Sequence, residues 1–410
     1  MEAAVRLEMP AVEARERLAG FVDEVTSVLW LPVQRRNAFL YVRGLVEQGG
    51  RKSLQPTLFR LEETPARYES MQQFLADSPW DPDLLVRECA ERVVPRIGVQ
   101  AWVIDDTGIP KCGRHSPGVK RQYSGTLGKI GNCQIGVSVH AVGERGTAPL
   151  GWALYLPEEW CADAERRRKA KIPEAVAFET KPQLAAGLAR QAACWRLPRA
   201  PILADSAYGD DSGFRTDLHQ AGLEYVLAVS PTVAVFGPET TFAVPEQPRG
   251  KRGRPFSVAR PDRKQESLLA LAQRLPGRAW RTIACRETAA GKEVTSRFAF
   301  VRVVAAHPVR KDHQPPREEW LIIEWPSGAE QPCDYWLSNL PPETSPHRLA
   351  RLARLRWTIE LDYKQLKGEL GLDHYEGRRY LGFHHHTALV TCAHAFLTLE
   401  RLHPKAPRPT

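Results

Sequence analysis

Two short apolar runs, each followed directly by aspartate, constrain most strongly how this chain can fold. The first is AWVI at 101–104, followed by Asp105 and Asp106, and the second is PILA at 201–204, followed by Asp205. An unbroken apolar run of this length is typical of a strand buried on both faces, and ligands of open α/β sheets gather beyond strand ends. The sequence therefore predicts an α/β fold whose acids end two strands and share one cleft.

The same acids have a purely structural alternative. Aspartate commonly caps helices and turns, and spacing alone does not separate that role from catalysis. Asp105 and Asp106 are also adjacent, so the alternation of a strand points them to opposite sides. Only one of the two can easily face a metal ion.

A further acid lies in the stretch RWTIELDYKQLKGELGLDHYEGR at 356–378. On a single helix, Arg356, Glu360, Lys364 and Lys367 fall at i, i+4, i+8 and i+11 and project from one face. One carboxylate in a cationic stripe suits a phosphodiester held against metal ions. The alternative is a solvated amphipathic helix with ordinary i,i+4 ion pairs.

Several blocks of sequence, in this order, resemble the DDE-type transposases of bacterial insertion sequences. The blocks are VIDDTGIPKCGRHSPGVKRQYSGTLGKIGNCQIGV at 103–137, LYLPEEW at 154–160, FETKPQLA at 178–185, ILADSAYG at 202–209 and the Glu360 helix. The resemblance implies a ribonuclease H-like mixed sheet flanked by helices. It also implies that Asp105, Asp205 and Glu360 are the catalytic, metal-binding triad. Related sequences carry Asp or Glu at the second position of the pair, which favours Asp105 and leaves Asp106 as the fallback.

The spacing of Arg356, Glu360 and Lys367 is similar to the motif that one large branch of this family carries around its catalytic Glu. That motif usually has Tyr three residues before the Arg, whereas position 353 here is Ala. A Tyr contact to the phosphate of the element end is therefore absent or supplied elsewhere, and Tyr363 on the same helix is a candidate substitute.

The chemistry implied by the resemblance is metal-dependent phosphoryl transfer on double-stranded DNA. The enzyme would nick the element end to expose a 3′-OH, which then attacks target DNA. Two Mg²⁺ ions, with Mn²⁺ as a substitute, are the implied cofactors, and carboxylates are the ligands that Mg²⁺ prefers. By analogy a homodimer forms in the DNA complex. No nucleotide cofactor is expected, because the sequence lacks a GxxxxGK[ST] loop.

The charge balance favours a polyanionic partner, since the net charge is +9 and the pI is near 9.2. The predicted DNA contacts are Arg356, Lys364 and Lys367 beside Glu360; Lys111, Arg114, Lys120 and Arg121 after Asp105; and Arg252 and Arg254 in PRGKRGRP at 248–255. The last segment resembles an AT-hook, and a solvated linker is its alternative reading.

The domain organisation follows from shifts in periodicity. The predicted segments are a helical N-terminal DNA-binding domain at 1–92, the first part of the catalytic domain at 93–240, a β-rich insertion at 241–338, the C-terminal part of the catalytic domain with the Glu helix at 339–402, and a basic tail at 403–410. Helical periodicity is clearest at 35–48 and 70–94. An insertion is needed because 155 positions separate Asp205 from Glu360.

Two groups of residues inside these segments have alternative roles. Trp280, Trp320, Trp325 and Trp336 lie in the insertion, where one of them could stack on a flipped base, although core packing is favoured. The run His384–His386 predicts packing or phosphate contacts, since three adjacent histidines on a helix cannot all face one metal.

The remaining features predict an intracellular protein of the bacterial cytoplasm with no membrane partner. Eight dispersed cysteines form no CxxC pair, and no apolar run approaches the roughly 20 residues that span a bilayer. Three alternatives to a transposase stay open: a DNA-binding regulator that does not cut, a ribonuclease H-like nuclease without strand transfer, and a metal-independent hydrolase with paired carboxylates.

Overall fold

The structure is a computed structural model that describes residues 11–125, 128–245, 257–287, 293–306 and 317–403. Its helices are α1 (Ala11–Val25), α2 (Pro32–Val46), α3 (Leu54–Arg60), α4 (Pro65–Ala76), α5 (Pro82–Ile97), α6 (Glu158–Ala162), α7 (Ala164–Ala170), α8 (Lys181–Ala193), α9 (Ser206–Gly209), α10 (Ser212–Gln220), α11 (Leu268–Arg274), α12 (Pro346–Leu355), α13 (Thr358–Gly368) and α14 (Tyr380–Arg401). Its strands are β1 (Val99–Pro110), β2 (Lys120–Ser124), β3 (Lys129–Gly143), β4 (Gly146–Tyr155), β5 (Ile202–Ala204), β6 (Tyr225–Val229), β7 (Ala234–Phe236), β8 (Phe242–Ala243), β9 (Arg260–Pro261), β10 (Glu266–Ser267), β11 (Trp280–Glu287), β12 (Glu293–Ala305), β13 (Glu318–Trp325) and β14 (Asp334–Ser338).

The chain falls into two compact units. The first unit consists of Met1–Arg199 and Thr358–Thr410, and the second is Ala200–Trp357. The predicted boundaries of the five sequence segments remain a prediction. The AT-hook-like segment with Arg252 and Arg254, and residues 404–410 of the basic tail, lie outside the described residues.

The helices that open the first unit run from α1 to α5. The helical pattern at 70–94 is divided between two helices, α4 and α5. Asp81 explains the break, because its side chain accepts the backbone N–H of Asp83 and Pro82 is the first residue of α5. Both are strong helix-start signals.

The sheet of the first unit is built around β3, which pairs antiparallel with β1, β2 and β4. The prediction that the first strand ends at Ile104 is wrong, because β1 continues to Pro110. Its pairing with β3 continues through Asp105 and Asp106 as far as Pro110 opposite Cys133. Gly108 permits this, since a Cβ there would collide with the Ser124 side chain. The acids Asp105 and Asp106 therefore lie within a strand and not in a turn.

The core of the first unit is organised by α14, which packs against α5, α2 and β4. Most of its 22 residues are buried, from Gly382 to Glu400. A helix that is apolar on all sides belongs in the centre of a domain. Among the described residues, no helix is long and apolar enough to cross a membrane.

The sheet of the second unit is mostly antiparallel. Strands β11, β12, β13, β14 and β6 pair antiparallel in that order, and β5 pairs parallel with β6. Its core joins residues of several strands to α11, among them Leu268, Ala299, Leu321 and Tyr335. An ion pair between the buried Glu324 of β13 and the partly exposed Arg354 fastens α12 to this sheet.

The four tryptophans of the predicted insertion all have partners within the second unit. Trp280 packs edge-on against Trp325 with ring centroids 5.2 Å apart, and Trp336 is buried. The indole N–H of Trp320 donates to the oxygen of Pro341 at 3.0 Å. These contacts favour the core-packing alternative. With helices on strands in both units, the predicted mixed α/β class is confirmed.

Candidate active site

The register of β1 against β3 separates the two neighbouring aspartates. Asp105 lies opposite Ser138, and Asp106 lies opposite Val137. Directly opposed residues share one face of a sheet. The Ser138 hydroxyl hydrogen bonds with the Tyr363 hydroxyl of α13 at 2.8 Å. Asp105 therefore occupies the face of the sheet on which α13 packs.

Asp106 points to the other face and is already paired. Its two carboxylate oxygens lie 3.1 and 3.0 Å from the amine of Lys181, the first residue of α8. The pKa of Tyr363 agrees with the placement of Asp105 and Asp106 on opposite faces of the sheet. Burial raises the pKa of Tyr363 well above its ordinary value, and the charge of Asp105 adds more to this rise than that of Asp106. Sequence reasoning missed Lys181, although it lies in the block FETKPQLA.

Helix α13 presents Glu360 outward while its opposite side is buried. Ile359, Asp362, Tyr363 and Leu366 are buried, whereas Glu360 and Lys364 are exposed. Residues three and four apart share a helix face, so the buried set forms one stripe along α13. Glu360 thus stands on the accessible side of a helix that is fixed from beneath.

The prediction of a single helix from Arg356 to Lys367 is wrong. Helix α12 ends at Leu355, Arg356 and Trp357 form a turn, and α13 begins at Thr358. Within α13 itself, Glu360 and Lys364 are exposed, and Arg356 lies before the first residue of this helix.

A buried polar network holds α13 in place. The Asp362 carboxylate accepts a hydrogen bond from Nδ1 of His140 at 2.7 Å and one from the Thr147 hydroxyl, and His394 Nε2 lies 3.5 Å from it. Burial on its own would raise the pKa of Asp362, but the hydrogen bonds and charges of His140 and His394 hold it far below its usual range. We call Asp362, His140, Thr147 and His394 the Asp362 network. It joins α13 to β3, β4 and α14.

Lys367 fastens the C-terminal end of α13 to β1. Its amine donates to the oxygen of Gly108 at 2.9 Å, three residues beyond Asp105. Burial lowers the pKa of Lys367 to about 8, although the charges of Asp373 and Asp105 oppose that shift. Lys367 is thus an electrostatic neighbour of Asp105.

Asp205 belongs to the second unit and follows β5 directly. Its Oδ1 accepts the backbone N–H of Ala207 at 3.0 Å and caps the short helix α9. The capping role that the sequence left open is therefore real. It does not exclude a metal, because a carboxylate has further acceptor positions.

The remaining predicted DNA contacts differ in accessibility. Arg114 and Arg121 are exposed, and the Lys120 amine pairs with Glu159 at 2.9 Å. The Lys111 amine instead donates to the oxygen of Tyr375, and burial lowers its pKa to about 8. Lys111 therefore supports the backbone near Tyr375, and its contact with phosphate stays a prediction.

Two of the three adjacent histidines, His385 and His386, are structural. His386 lies between the Tyr41 hydroxyl at 2.9 Å and the oxygen of Leu372 at 3.1 Å. His385 lies between the oxygens of Leu75 and Trp80, at 2.8 and 2.9 Å. Both rings are buried within the first unit, so packing is their role and phosphate contact has no support.

The oxygen ligands that the predicted acids offer can be compared with those that Mg²⁺ and Mn²⁺ prefer. Asp105 and Glu360 of the first unit and Asp205 of the second offer carboxylate oxygens, which suit Mg²⁺ or Mn²⁺. Asp106 and Asp362 are poorer candidates, because Lys181 and the histidines already engage them. In the part of the chain that the structure describes, no group of three or more His, Cys, Asp or Glu side chains is arranged to hold a metal ion. The triad therefore stays a prediction.

Comparison with known proteins adds the family. The sequence model of the DDE superfamily endonucleases matches residues 30–292, a segment that contains Asp105 and Asp205 and ends before Glu360. A probable transposase for insertion sequence element IS701 from Microchaete diplosiphon is 30% identical over 216 residues, which cover 51% of this chain and 53% of that relative. The alignment thus spans about half of the relative's length. The described helices and mixed sheet agree with the ribonuclease H-like fold that the resemblance implied. Because the family model matches well over half of the sequence, this chain belongs to the DDE superfamily endonucleases.

Proposed function

We propose that this protein is a DNA transposase that cleaves the ends of an insertion sequence and joins them to target DNA. The observation that carries the proposal is the position of Asp105 on the sheet face covered by α13, the helix that presents Glu360 to solvent. The similarity to a probable insertion-sequence transposase supports the choice of DNA as substrate.

Asp105, Asp205 and Glu360 would together hold the metal ions. When bound, two Mg²⁺ ions supply a polarised phosphate and an activated attacking oxygen. Asp106 stays paired with Lys181 and keeps that side of β1 closed to the metal. Lys364, exposed one turn beyond Glu360, and Lys367 would attract the phosphate strand and balance its charge. Arg356, in the turn before α13, would be a further phosphate contact.

The protein's own side chains position the reacting groups. The Asp362 network fixes the orientation of α13, so Glu360 needs little reorganisation when DNA binds. Such preorganisation is worth much in phosphoryl transfer, where positioning and electrostatic stabilisation dominate. We further propose that two copies act together in the DNA complex, since an element has two ends to be joined.

The test is cleavage of supercoiled DNA that carries the element ends, with Mg²⁺ or with EDTA. We expect wild-type nicking to require metal and to fall by at least about 10³-fold in Asp105→Ala, Asp205→Ala and Glu360→Ala. Glu369→Ala is the matched control, because Glu369 is an exposed acid just beyond α13. Asp106→Ala separates the two neighbouring aspartates and is expected to retain most of the activity.

The products decide between the proposal and its alternatives. Joined strands are expected with a target plasmid present, whereas nicks without joined strands would indicate a nuclease that does not transfer strands. Tight binding of the ends without any cleavage would indicate a regulator. Normal cleavage by Asp205→Ala and Glu360→Ala would refute the triad.

A further inference from the structure

A cleft of about 930 Å³ opens within the first unit. Its walls come from five separate stretches of the chain: α2, the region from Arg51 through α4, the loop after β1, helices α6 and α7, and the segment between α13 and α14. Each stretch except α2 contributes positive charge. The cationic side chains are Arg51, Arg114, Arg166, Lys169, Arg378 and Arg379. We call this the arginine cleft.

Carboxylates neutralise only part of this charge. Three acids line the cleft, Glu69, Asp77 and Glu376, against the six Arg and Lys side chains. Glu376 pairs with Arg51, and Asp77 is shared between Lys171 at 2.6 Å and Arg379 at 3.8 Å. Lys169 pairs with Glu165, which lies outside the lining, at 2.5 Å. The lining therefore keeps an excess of positive charge.

Two arginines carry most of that excess. Arg114 and Arg378 are exposed, and in the described part of the chain no carboxylate pairs with either guanidinium. Like charges gathered in a concave surface raise the local positive potential and attract anions. The cleft therefore has positive charge that an anionic ligand would neutralise.

The cationic walls are also held in position. The guanidinium of Arg166 lies 3.7 Å from the ring centre of Trp160 and donates to the oxygen of Arg114 at 3.4 Å. Arg379 donates to the oxygen of Lys169 at 2.5 Å. The Lys111 amine donates to the oxygen of Tyr375 and supports the wall that bears Arg378. The guanidinium groups of Arg166 and Arg379 are thus fixed before a ligand binds, and so is the backbone at Arg114.

We propose that the arginine cleft binds the phosphate backbone of a DNA strand, at a contact separate from the catalytic carboxylates. The inference rests on the proposed function and adds a second place where DNA is held. Guanidinium groups suit phosphate, because their planar forks donate two parallel hydrogen bonds. Cations on several walls fit a chain of phosphates better than a mononucleotide, whose phosphates usually sit in one glycine-rich loop. The half-exposed ring of Tyr68 offers a surface for a sugar or base.

The test compares two double variants of equal charge. Arg114→Ala with Arg378→Ala removes the unpaired cleft cations, and Arg96→Ala with Arg145→Ala removes two exposed arginines that do not line the cleft. Binding to labelled DNA is measured by fluorescence anisotropy in EDTA over a series of salt concentrations. Two probes are used, a duplex with the element end and an unrelated duplex of equal length.

We expect the cleft variant to bind roughly 10- to 100-fold more weakly than the control variant, with a salt slope smaller by about 2. An equal loss of affinity for both probes would show that the cleft binds DNA without sequence preference. A loss of affinity for the element-end probe alone would show that the cleft binds the element end. Equal affinity and slope for the two variants would overturn the inference while leaving the proposed function intact. A wild type that binds neither probe would instead refute the proposed function.

Discussion

The Asp362 network and the arginine cleft lie in the same unit, but they differ in whether their charged side chains have partners inside the protein. In the network, one carboxylate that is only 5% exposed is met by two histidines and a threonine, so its charge is satisfied inside the protein. In the cleft, Arg114 and Arg378 stay exposed and unmatched by any carboxylate of the described chain. A charge that is paired inside the protein indicates a structural role. Positive charge that no carboxylate offsets indicates that the cleft binds an anionic ligand.

The largest expected effect comes from breaking the network. Asp362→Ala should lower the free energy of unfolding by about 3–5 kcal/mol, because it leaves His140, His394 and Thr147 buried without their acceptor. Urea unfolding measures the loss, and Asp362→Asn, which keeps one acceptor oxygen, should lose less. Glu369→Ala, at an exposed site, should stay within about 0.5 kcal/mol of wild type. A loss in Asp362→Ala no greater than in that control would contradict the structural role.

A smaller effect, which depends on pH, is expected at Lys111. Its pKa in the folded protein is about 8 against the ordinary 10.5, so between these values the unfolded chain binds more protons than the folded one. The free energy of unfolding should therefore rise with pH across this window in wild type, by on the order of 1–3 kcal/mol more than in Lys111→Met. Urea titrations at pH 7, 8, 9 and 10 measure the difference. Parallel curves for the two proteins would show that Lys111 is not buried as described.

The pair of Asp106 and Lys181 should have a weaker effect than either, since both side chains are partly exposed. A double-mutant cycle with Asp106→Ala and Lys181→Ala should give a coupling energy of about 0.2–1 kcal/mol. Thermal or urea unfolding of the four proteins provides the measurement. If the coupling energy is zero and Asp106→Ala also abolishes DNA cleavage, Asp106 would replace Asp105 as the proposed first catalytic acid.

The smallest effect on stability is expected in the cleft itself. Arg114→Ala with Arg378→Ala should leave the free energy of unfolding unchanged or raise it by up to about 0.5 kcal/mol, because it removes like charges that no carboxylate offsets. The same urea titration applies. A loss above about 1 kcal/mol would show that these arginines stabilise the fold and would weaken the contrast with the network.

The sequence predicted the fold class and the positions of β1 and β5, since a continuous apolar run is visible without any tertiary information. It failed on how far β1 extends, because Asp105, Asp106 and Thr107 are polar, as turn residues are, while pairing with β3 is what keeps them extended. The break at Arg356 and Trp357 was also hidden, because residues 346–368 carry one plausible helical period. The structure shows the break as a turn at these two residues.

The candidate site was predicted in part. Adjacency placed Asp105 and Asp106 on opposite sides of a strand, and the resemblance favoured Asp105. The strand register adds that Asp105 lies on the face covered by α13, and the structure adds the ion pair between Asp106 and Lys181. Asp362 was not singled out, because an acid next to Glu360 on a polar helix does not look buried. The arginine cleft was beyond reach, since Arg51, Arg114, Arg166 and Arg378 are far apart in sequence. Sequence reasoning recognises charge along a chain and misses charge that folding brings together.

The central position of α14 bears on how the protein is made. The first unit is discontinuous in the chain, and the helix that fills its core is synthesised after the whole second unit. At about 5–20 residues per second, roughly 10–40 s separate the emergence of residue 199 from that of α14. During that interval the second unit can fold on the ribosome, whereas α5, α2 and β4 still lack their central partner. The Asp362 network and the arginine cleft can therefore form only after the second unit has been synthesised. A chain released from a ribosome that stalled within the second unit would lack α14 and could not complete the core of the first unit.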